Sequence, residues 1–399
     1  MSKVALPNGW KEVKFSTLFK ARSVYTDDLS TYPLFSLTIE NGVTKKTDRY
    51  ERSHLVLKDN AYKVVHPNDF VYNPMNVIIG AAARYFGENK VSVSGYYDIF
   101  FAPIETDNFF FDNFLTSHTM QRQYHKVATG SLIEKQRVHF SQFMDFVLPL
   151  PPAEERHCIA EILTTQDRFI DAKTRLINEK NRQKRWLAQK LLLGSVRLSE
   201  FTESWNEIIL RDICTIVGGG TPSTKMSEYW QGDVPWISSA DVIENEIYTI
   251  NPTRFITRDA IMNSATKLCP KGTILLISRV GVGKLAIAPY DVCTSQDFTN
   301  ITNVDGDVAF FAQKLHLYFD KAKSKTQGTS IKGLTVEEIK GIRFSVPCLS
   351  EQVAIAERLT TADREIELLT RELEQQKLVK KYLMQQLLTG KKRVKGAVQ

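Results

Sequence analysis

Residues 151–197 read PPAEERHCIAEILTTQDRFIDAKTRLINEKNRQKRWLAQKLLLGSVR, and residues 347–393 read PCLSEQVAIAERLTTADREIELLTRELEQQKLVKKYLMQQLLTGKKR. Laid over each other at a constant offset of 196, without a gap, they agree at 20 of 47 positions. Agreement on that scale is duplication, and an internal repeat governs the reading of everything around it. Both copies lack proline and glycine, over residues 153–193 and 349–389, and are rich in Glu, Lys, Gln, Arg, Leu and Ala, which favour helix. Each opens behind a proline (Pro152, Pro347) with acidic residues nearby and closes at a glycine (Gly194, Gly390), the usual start and stop signals. Forty residues of helix extend about 60 Å.

Apolar side chains recur every seven residues along both copies. Leu163, Ile170, Ile177 and Leu191 form one line, interrupted by Lys184, and Leu359, Ile366, Leu373 and Leu387 form its counterpart, interrupted by Lys380. Leu187 and Leu383 belong to a second line. A narrow apolar stripe on a charged helix is a coiled-coil seam. Two copies with one seam pattern predict that the helices pair with each other, antiparallel in a chain where globular modules and helices alternate. The same stripe also suits a helix lying on its own module. Lys173, Arg175, Lys180, Arg182, Arg185 and Lys190 in the first copy, and Arg371, Lys377, Lys381 and Lys391 to Arg393 in the second, make both helices basic. Such charge is an ordinary solvated face, and its occurrence twice points to a polyanion nearby.

The repeat extends outward. Trp10-Lys11-Glu12-Val13 is echoed by Trp205-Asn206-Glu207-Ile208, and Gly130-Ser131-Leu132-Ile133 by Gly328-Thr329-Ser330-Ile331. Between these landmarks the halves differ almost completely. The expected organisation is a module over residues 1–152, a helix over 153–197, a second module over 198–347, and a second helix with a basic tail over 348–399. Short β-type runs bounded by Gly, Pro, Asn and Asp, at residues 62–65, 70–72, 91–93, 97–101, 234–237, 273–277 and 285–288, with helical patches at 109–128 and 309–323, make each module mixed α/β. The fold class expected is therefore α+β, with two globular modules alternating with two long helices.

The chain has 399 residues, a net charge of +7, 43% hydrophobic and 24% charged residues, the profile of a folded protein with more than one globular unit. No apolar run reaches membrane-span length, and the first residues, MSKVALPNGWKEVKF, carry no signal-peptide core. The five cysteines, Cys158, Cys214, Cys269, Cys293 and Cys348, are odd in number, scattered and without a C-x-x-C pair. A disulfide framework and a structural zinc site are both unsupported, and a reduced cytoplasmic setting is expected.

Motifs for catalysis fail on their chemistry. Gly218-Gly219-Gly220-Thr221-Pro222-Ser223 lacks the Gly-Lys-Ser/Thr end of a phosphate loop, and Gly281-Val282-Gly283-Lys284 runs on into Leu285. Asn73-Pro74-Met75-Asn76 lacks the second proline and the aromatic of the adenine-methyltransferase tetrad. Seven histidines show no metal-ligand spacing. No catalytic residue, cofactor or metal is expected. The modules instead interleave cations, amides and aromatics, which suit phosphates and base edges. The candidates in the first module are Arg49, Arg84, Tyr85, Lys90, Lys135 and Arg137. Those in the second are Thr221, Ser223, Lys225, Ser238, Arg279, Lys284, Gln296 and Lys332.

One motif series has a known counterpart. Gly219-Gly220-Thr221-Pro222-Ser223, Tyr229-Trp230, Val234-Pro235-Trp236-Ile237-Ser238, Ser295-Gln296-Asp297-Phe298 and Ile331-Lys332-Gly333-Leu334 precede Val346-Pro347, Glu351-Gln352 and Ile355-Ala356. In that series the chain resembles the DNA-specificity subunit of Type I restriction–modification systems, over essentially its full length. The first module departs from the glycine-rich opening, and Glu155-Arg156 stands where Glu-Gln is common. The resemblance implies two target-recognition domains, each reading one half of a bipartite double-stranded DNA site, with the helices as a ruler between them. It also implies two adenine-N6 methyltransferase subunits bound to the helical regions, restriction subunits able to join, and no chemistry of the chain's own. The competing reading is a coiled-coil scaffold that joins two protein partners without touching DNA.

Overall fold

A computed structural model of the chain describes residues 6–46, 61–104, 107–130, 136–244, 246–279, 281–325 and 333–394. The repeated segments are helices over Ala153–Leu192 and Leu349–Leu387, 40 and 39 residues long. Both stop as the sequence requires. Gly194 and Gly390 take left-handed φ values of 67° and 68°, and their N–H groups close the last turns onto the carbonyls of Leu191 and Leu387. The chain divides into two compact units, residues 1–174 with 371–399, and residues 175–370. Each unit therefore holds one module, one half of the first helix and one half of the second.

In the first unit Lys11–Lys14 pairs antiparallel with Val147–Leu150, which ties the module's beginning to its end. Between them a four-stranded antiparallel sheet runs in the spatial order Lys20–Arg22, Asp98–Phe101, Phe70–Tyr72, Ala82–Arg84. A three-stranded sheet (Tyr25–Thr26, Tyr62–Val65, Val91–Ser94) and the hairpin Phe35–Thr38 with Gly42–Lys45 are separate from it. Helices Asn108–Phe114 and His118–Val127 divide the single patch expected at 109–128. Phenylalanine fills this core: Phe15, Phe19, Phe70, Phe100, Phe110, Phe111, Phe114 and Phe143 are all buried, many in edge-to-face contact.

The second unit closes in the same way, Asn206–Ile209 pairing with Arg343–Val346. Its antiparallel sheet follows Thr215–Gly218, Phe298–Thr302, Ile274–Ile277, Leu285–Ile287. In chain order both sheets are arranged first, fourth, second, third, so the topology was duplicated even though the sequences diverged. A further mixed sheet orders Arg254–Ile256, Val234–Ile237, Val292–Thr294, Leu268–Cys269, with Val234–Ile237 and Val292–Thr294 parallel.

The two long helices pair antiparallel. In the first unit Lys380 meets Asp167 at 2.5 Å, Lys173 pairs with Glu372, and Gln166 Nε2 donates to Gln376 Oε1 at 2.9 Å. In the second unit Lys180 meets Glu365 at 2.6 Å and Lys184 pairs with Asp363. Among the expected seam residues Leu373 is buried, and Ile170, Ile177 and Ile366 are half-buried. The outer seam positions do more than pair helices. Leu163, Leu383 and Leu387 pack into the first module's core, and Leu187, Leu191 and Leu359 into the second's. Both readings of the stripe thus hold, each over part of its length, because an apolar line at a helix end meets the module before it meets the other helix. The identical pairs Ile159/Ile355, Ala160/Ala356, Leu163/Leu359 and Leu191/Leu387 sit in those two cores.

A polar junction recurs at each module base. Trp10 Nε1 donates to the Glu155 carboxylate at 3.2 Å, and Arg393 grips that carboxylate at 2.6 and 2.7 Å. Trp205 Nε1 donates to Glu351 at 3.3 Å, and Arg197 grips it at 2.7 and 2.6 Å. Glu155 and Glu351 are fully buried, and a buried carboxylate persists where paired and bonded on several sides.

Candidate nucleic-acid interface

The glycine-rich segment of the second module is a clamped loop. A Cβ on Gly219 would lie 2.0 Å from the Ser295 carbonyl oxygen, and one on Gly220 2.4 Å from the Ala265 carbonyl, so only glycine lets these backbones approach. Gly220 N–H donates to the Thr294 carbonyl at 2.9 Å. Both tryptophans of the motif series hold the loop from its other side: Trp236 Nε1 donates to the Gly220 carbonyl at 2.9 Å and Trp230 Nε1 to that of Ser223 at 3.2 Å. Their rings meet edge-on at 5.1 Å. The residues between and beyond the clamps, Thr221, Ser223 and Lys225, are exposed.

Two more strand ends converge on the same turn, residues 295–297. Ser295 N–H donates to the Ile237 carbonyl at 2.9 Å, which brings Ser238 alongside, and Ser278 N–H donates to the Asp297 carbonyl at 2.9 Å, which brings Arg279 alongside. Thr221 Oγ1 is bonded to exposed Gln296. Thr221, Ser238, Arg279 and Gln296, up to 75 positions apart in pairs already bonded, are thereby gathered. Arg279 is exposed and Lys284 half-buried. Ser238 is partly committed to structure: its N–H and hydroxyl both bond the Asp241 carboxylate, at 2.7 and 2.8 Å. Asn300 is buried and donates to Thr294 Oγ1 at 2.8 Å.

The first module corrects two expectations. Arg84 is not a free surface cation: it is 4% exposed, bonds Asp112 at 2.9 and 2.6 Å, and bonds Asn68 Oδ1 at 2.8 Å. Its partner lies 28 residues on, so nothing local in the sequence reveals the pairing. Burial pushes the Asp112 carboxyl up, and the Arg84 bonds and charge oppose that shift. Tyr85 is likewise a core group, packed edge-on against Phe35 at 5.7 Å. Lys90 is exposed, and Arg137 is half-buried in a backbone bridge to Thr129. Arg49, Lys135 and Lys332, with the 131–133 and 329–331 approaches to the repeat, lie outside the described residues. Phe86, which no charge pattern singles out, is 71% exposed beside the buried pair Arg84 and Tyr85.

Among the described residues no helix is long and apolar enough to cross a membrane, and no cluster of His, Cys, Asp and Glu could hold a metal ion. Residues 202–377, which contain the clamped loop and its three converging partners, match the family described as the Type I restriction modification DNA specificity domain. The chain is similar to type I restriction-modification specificity subunits over part of its length. It is 37% identical over 180 residues to the Type I restriction enzyme MjaIX specificity subunit of Methanocaldococcus jannaschii, a stretch covering 43% of this chain and 40% of that one. It is 29% identical over 296 residues to the putative MjaX specificity subunit of the same organism, covering 71% and 68%. The chain thus spans less than half the length of the first relative and about two thirds of the second. The relatives are named specificity subunits. The fold matches that of a Type I restriction-modification S subunit from M. genitalium, with a TM-score of 0.58 at 15% identity, covering 97% of this chain and 98% of that one. A chain solved to describe complex assembly and conformational transition of the type I restriction-modification system gives 0.61, also at 15% identity, covering 97% and 99%.

Proposed function

We propose that the chain reads a bipartite double-stranded DNA site, one half through each module, and holds two adenine-N6 methyltransferase subunits that modify it in the cytoplasm. Restriction subunits can join the same assembly. The observation that carries this reading is the contrast within the repeat: identical helix positions support modules of one sheet order whose exposed loops share almost no residues. A duplicated segment suits a partner bound twice, and divergent loops suit two different half-sites.

Two features support the partner assignment. Trp186 and Tyr382, equivalent positions at the offset of 196, are both exposed on their helices, at 57% and 48%. Aromatic anchors of this kind dominate binding energy at protein interfaces. DNA contact is supported by exposed Lys90, Lys225 and Arg279, which suit phosphates, and by Thr221 and Gln296, which suit base edges. The test is methylome sequencing of a host that carries the chain and a partner methyltransferase, with the first module intact or exchanged for an unrelated one. Change confined to one half of the methylated site supports the reading, and an unaltered site removes it. Affinity of the complex for DNA should also fall steeply with salt, because neutralised phosphates release counterions. A scaffold that does not touch DNA would show neither effect.

A further inference from the structure

We propose that Phe86 is a DNA wedge: the first module presses this ring against a base step of its half-site and unstacks it. The proposal deepens the DNA-reading assignment above and rests on it. Three neighbouring residues are arranged to display one ring. Tyr85 is buried and anchors the segment. Gly87 lets the chain fold back over that anchor, since a Cβ there would lie 2.1 Å from the Tyr85 hydroxyl. Arg84 lies under the displayed ring, its guanidinium carbon 4.5 Å from the Phe86 centroid and 4.5 Å from that of Phe109. The guanidinium is itself fixed, by two bonds to Asp112 and one to Asn68, a non-glycine residue at φ 68°. A buried ion pair and a strained asparagine thus hold in place a side chain that is 71% exposed.

Exposure alone is commonplace for one apolar residue, but a rigid mount beneath it is not. A side chain ordered before binding loses little freedom on contact. The surroundings favour nucleic acid over an apolar protein pocket. Phe86 lines a cleft with Lys45 on the facing hairpin, and Lys45, Asn89 and Lys90 line the cleft next to it. Lys45 and Lys90 are exposed, and Glu88 is the one acid between Arg84 and Lys90. Cations flanking a phenyl ring match phosphates flanking a base step, the arrangement by which apolar wedges kink a duplex.

The experiment uses the full chain assembled with its methyltransferase and a duplex carrying the methylated sequence found by methylome sequencing. Each position of the first module's half-site is replaced in turn by 2-aminopurine, which brightens when unstacked. The wild-type complex should brighten one position besides the target adenine, which the methyltransferase extrudes by itself. Phe86→Ala should abolish that signal and weaken binding to the site roughly tenfold or more, the scale of a lost base–aromatic stack, with affinity for random duplex unchanged. Phe86→Ala binding as tightly as wild type, or a wild-type complex that binds without brightening any position besides the target adenine, overturns the wedge. So does a variant that keeps its DNA affinity but releases the methyltransferase, which would make Phe86 a protein contact. A wild-type complex that binds no DNA overturns the underlying assignment as well, and is told apart because it fails without any substitution.

Discussion

The Glu155-Arg156 departure from Glu-Gln shows how one position can be re-solved in two copies of a fold. In the second module Gln352 donates to the Pro347 carbonyl at 3.0 Å and accepts from the Asp307 N–H at 3.0 Å, which leaves the Asp307 carboxylate to cap the helix at Phe310 N–H. In the first module Arg156 donates to the Pro151 carbonyl at 2.9 Å and takes the Asp107 carboxylate itself, with two bonds of 2.8 Å. The Asp107 N–H is already spent on the Ile104 carbonyl. Arg156→Gln therefore cannot reproduce the other copy and leaves Asp107 buried without its partner. It should cost the first unit about 3 kcal/mol, measured by urea unfolding followed through Trp10, the one tryptophan of that unit. An unchanged midpoint would show that the pair contributes no stability.

Lys314 gives a second prediction at the same scale. Its ammonium is buried, donates to the Leu192 and Ser345 carbonyls at 2.6 Å each, and faces the rings of Trp205, Phe310 and Phe344. Burial pulls it down to about 8, against a smaller opposing effect of Glu207. Between that value and the ordinary lysine range the unfolded chain binds the proton and the folded chain does not, so stability rises as pH increases through this window. The gain should be on the order of 2 kcal/mol by pH 10, and Lys314→Met should remove it. An equal rise in the variant would place the titration elsewhere.

At the scale of elements, the helices were largely legible and the sheets were not. Proline, glycine and seven-residue spacing are local signals, so the bounds of both helices follow from the sequence within a residue or two. The sheet order depends on pairings such as Ile99 with Arg22, far apart in sequence and without periodic signal. The lysines on the apolar lines also have a meaning that only the structure supplies. Lys184 pairs with Asp363 and Lys380 with Asp167, and the two pairs are equivalent at the offset of 196. A charged residue in a seam selects register and orientation at some expense of stability. Lys184→Glu should lower the melting temperature of the second unit, and adding Asp363→Lys should restore most of the loss. Failure of the second change to rescue the first would mean that the pair does not set register. Trp186→Ala and Tyr382→Ala test the outer face of the same helices: each should weaken capture of the methyltransferase by about tenfold, read by titration calorimetry, with the fold intact.

At the scale of the whole molecule, the duplicated organisation was legible, and the candidate surface was legible only in part. The motif residues of the second module proved to be clamps, Trp236 and Trp230 on the carbonyls of Gly220 and Ser223, that present their neighbours to solvent. Residue type alone does not separate a clamp from a contact, which is why Arg84 and Tyr85 read as surface groups although they are buried, and why Phe86 between its supports was passed over. The ruler idea belongs to this scale and can be tested there. The first long helix is unbroken from Ala153 to Leu192 and is the covalent link between the modules. Seven residues inserted near Ile177, matched by seven near Ile366, would keep the seam in phase while lengthening each helix by about 10 Å. If helix length sets the distance between the half-sites, the methylated site should keep both half-sequences and gain about three base pairs between them, at about 34 Å per turn of DNA. Four residues inserted in the first helix alone would put the seam out of phase, and methylation should then fall rather than shift. A seven-residue variant that methylates at the original spacing would defeat the ruler while leaving recognition by each module untouched.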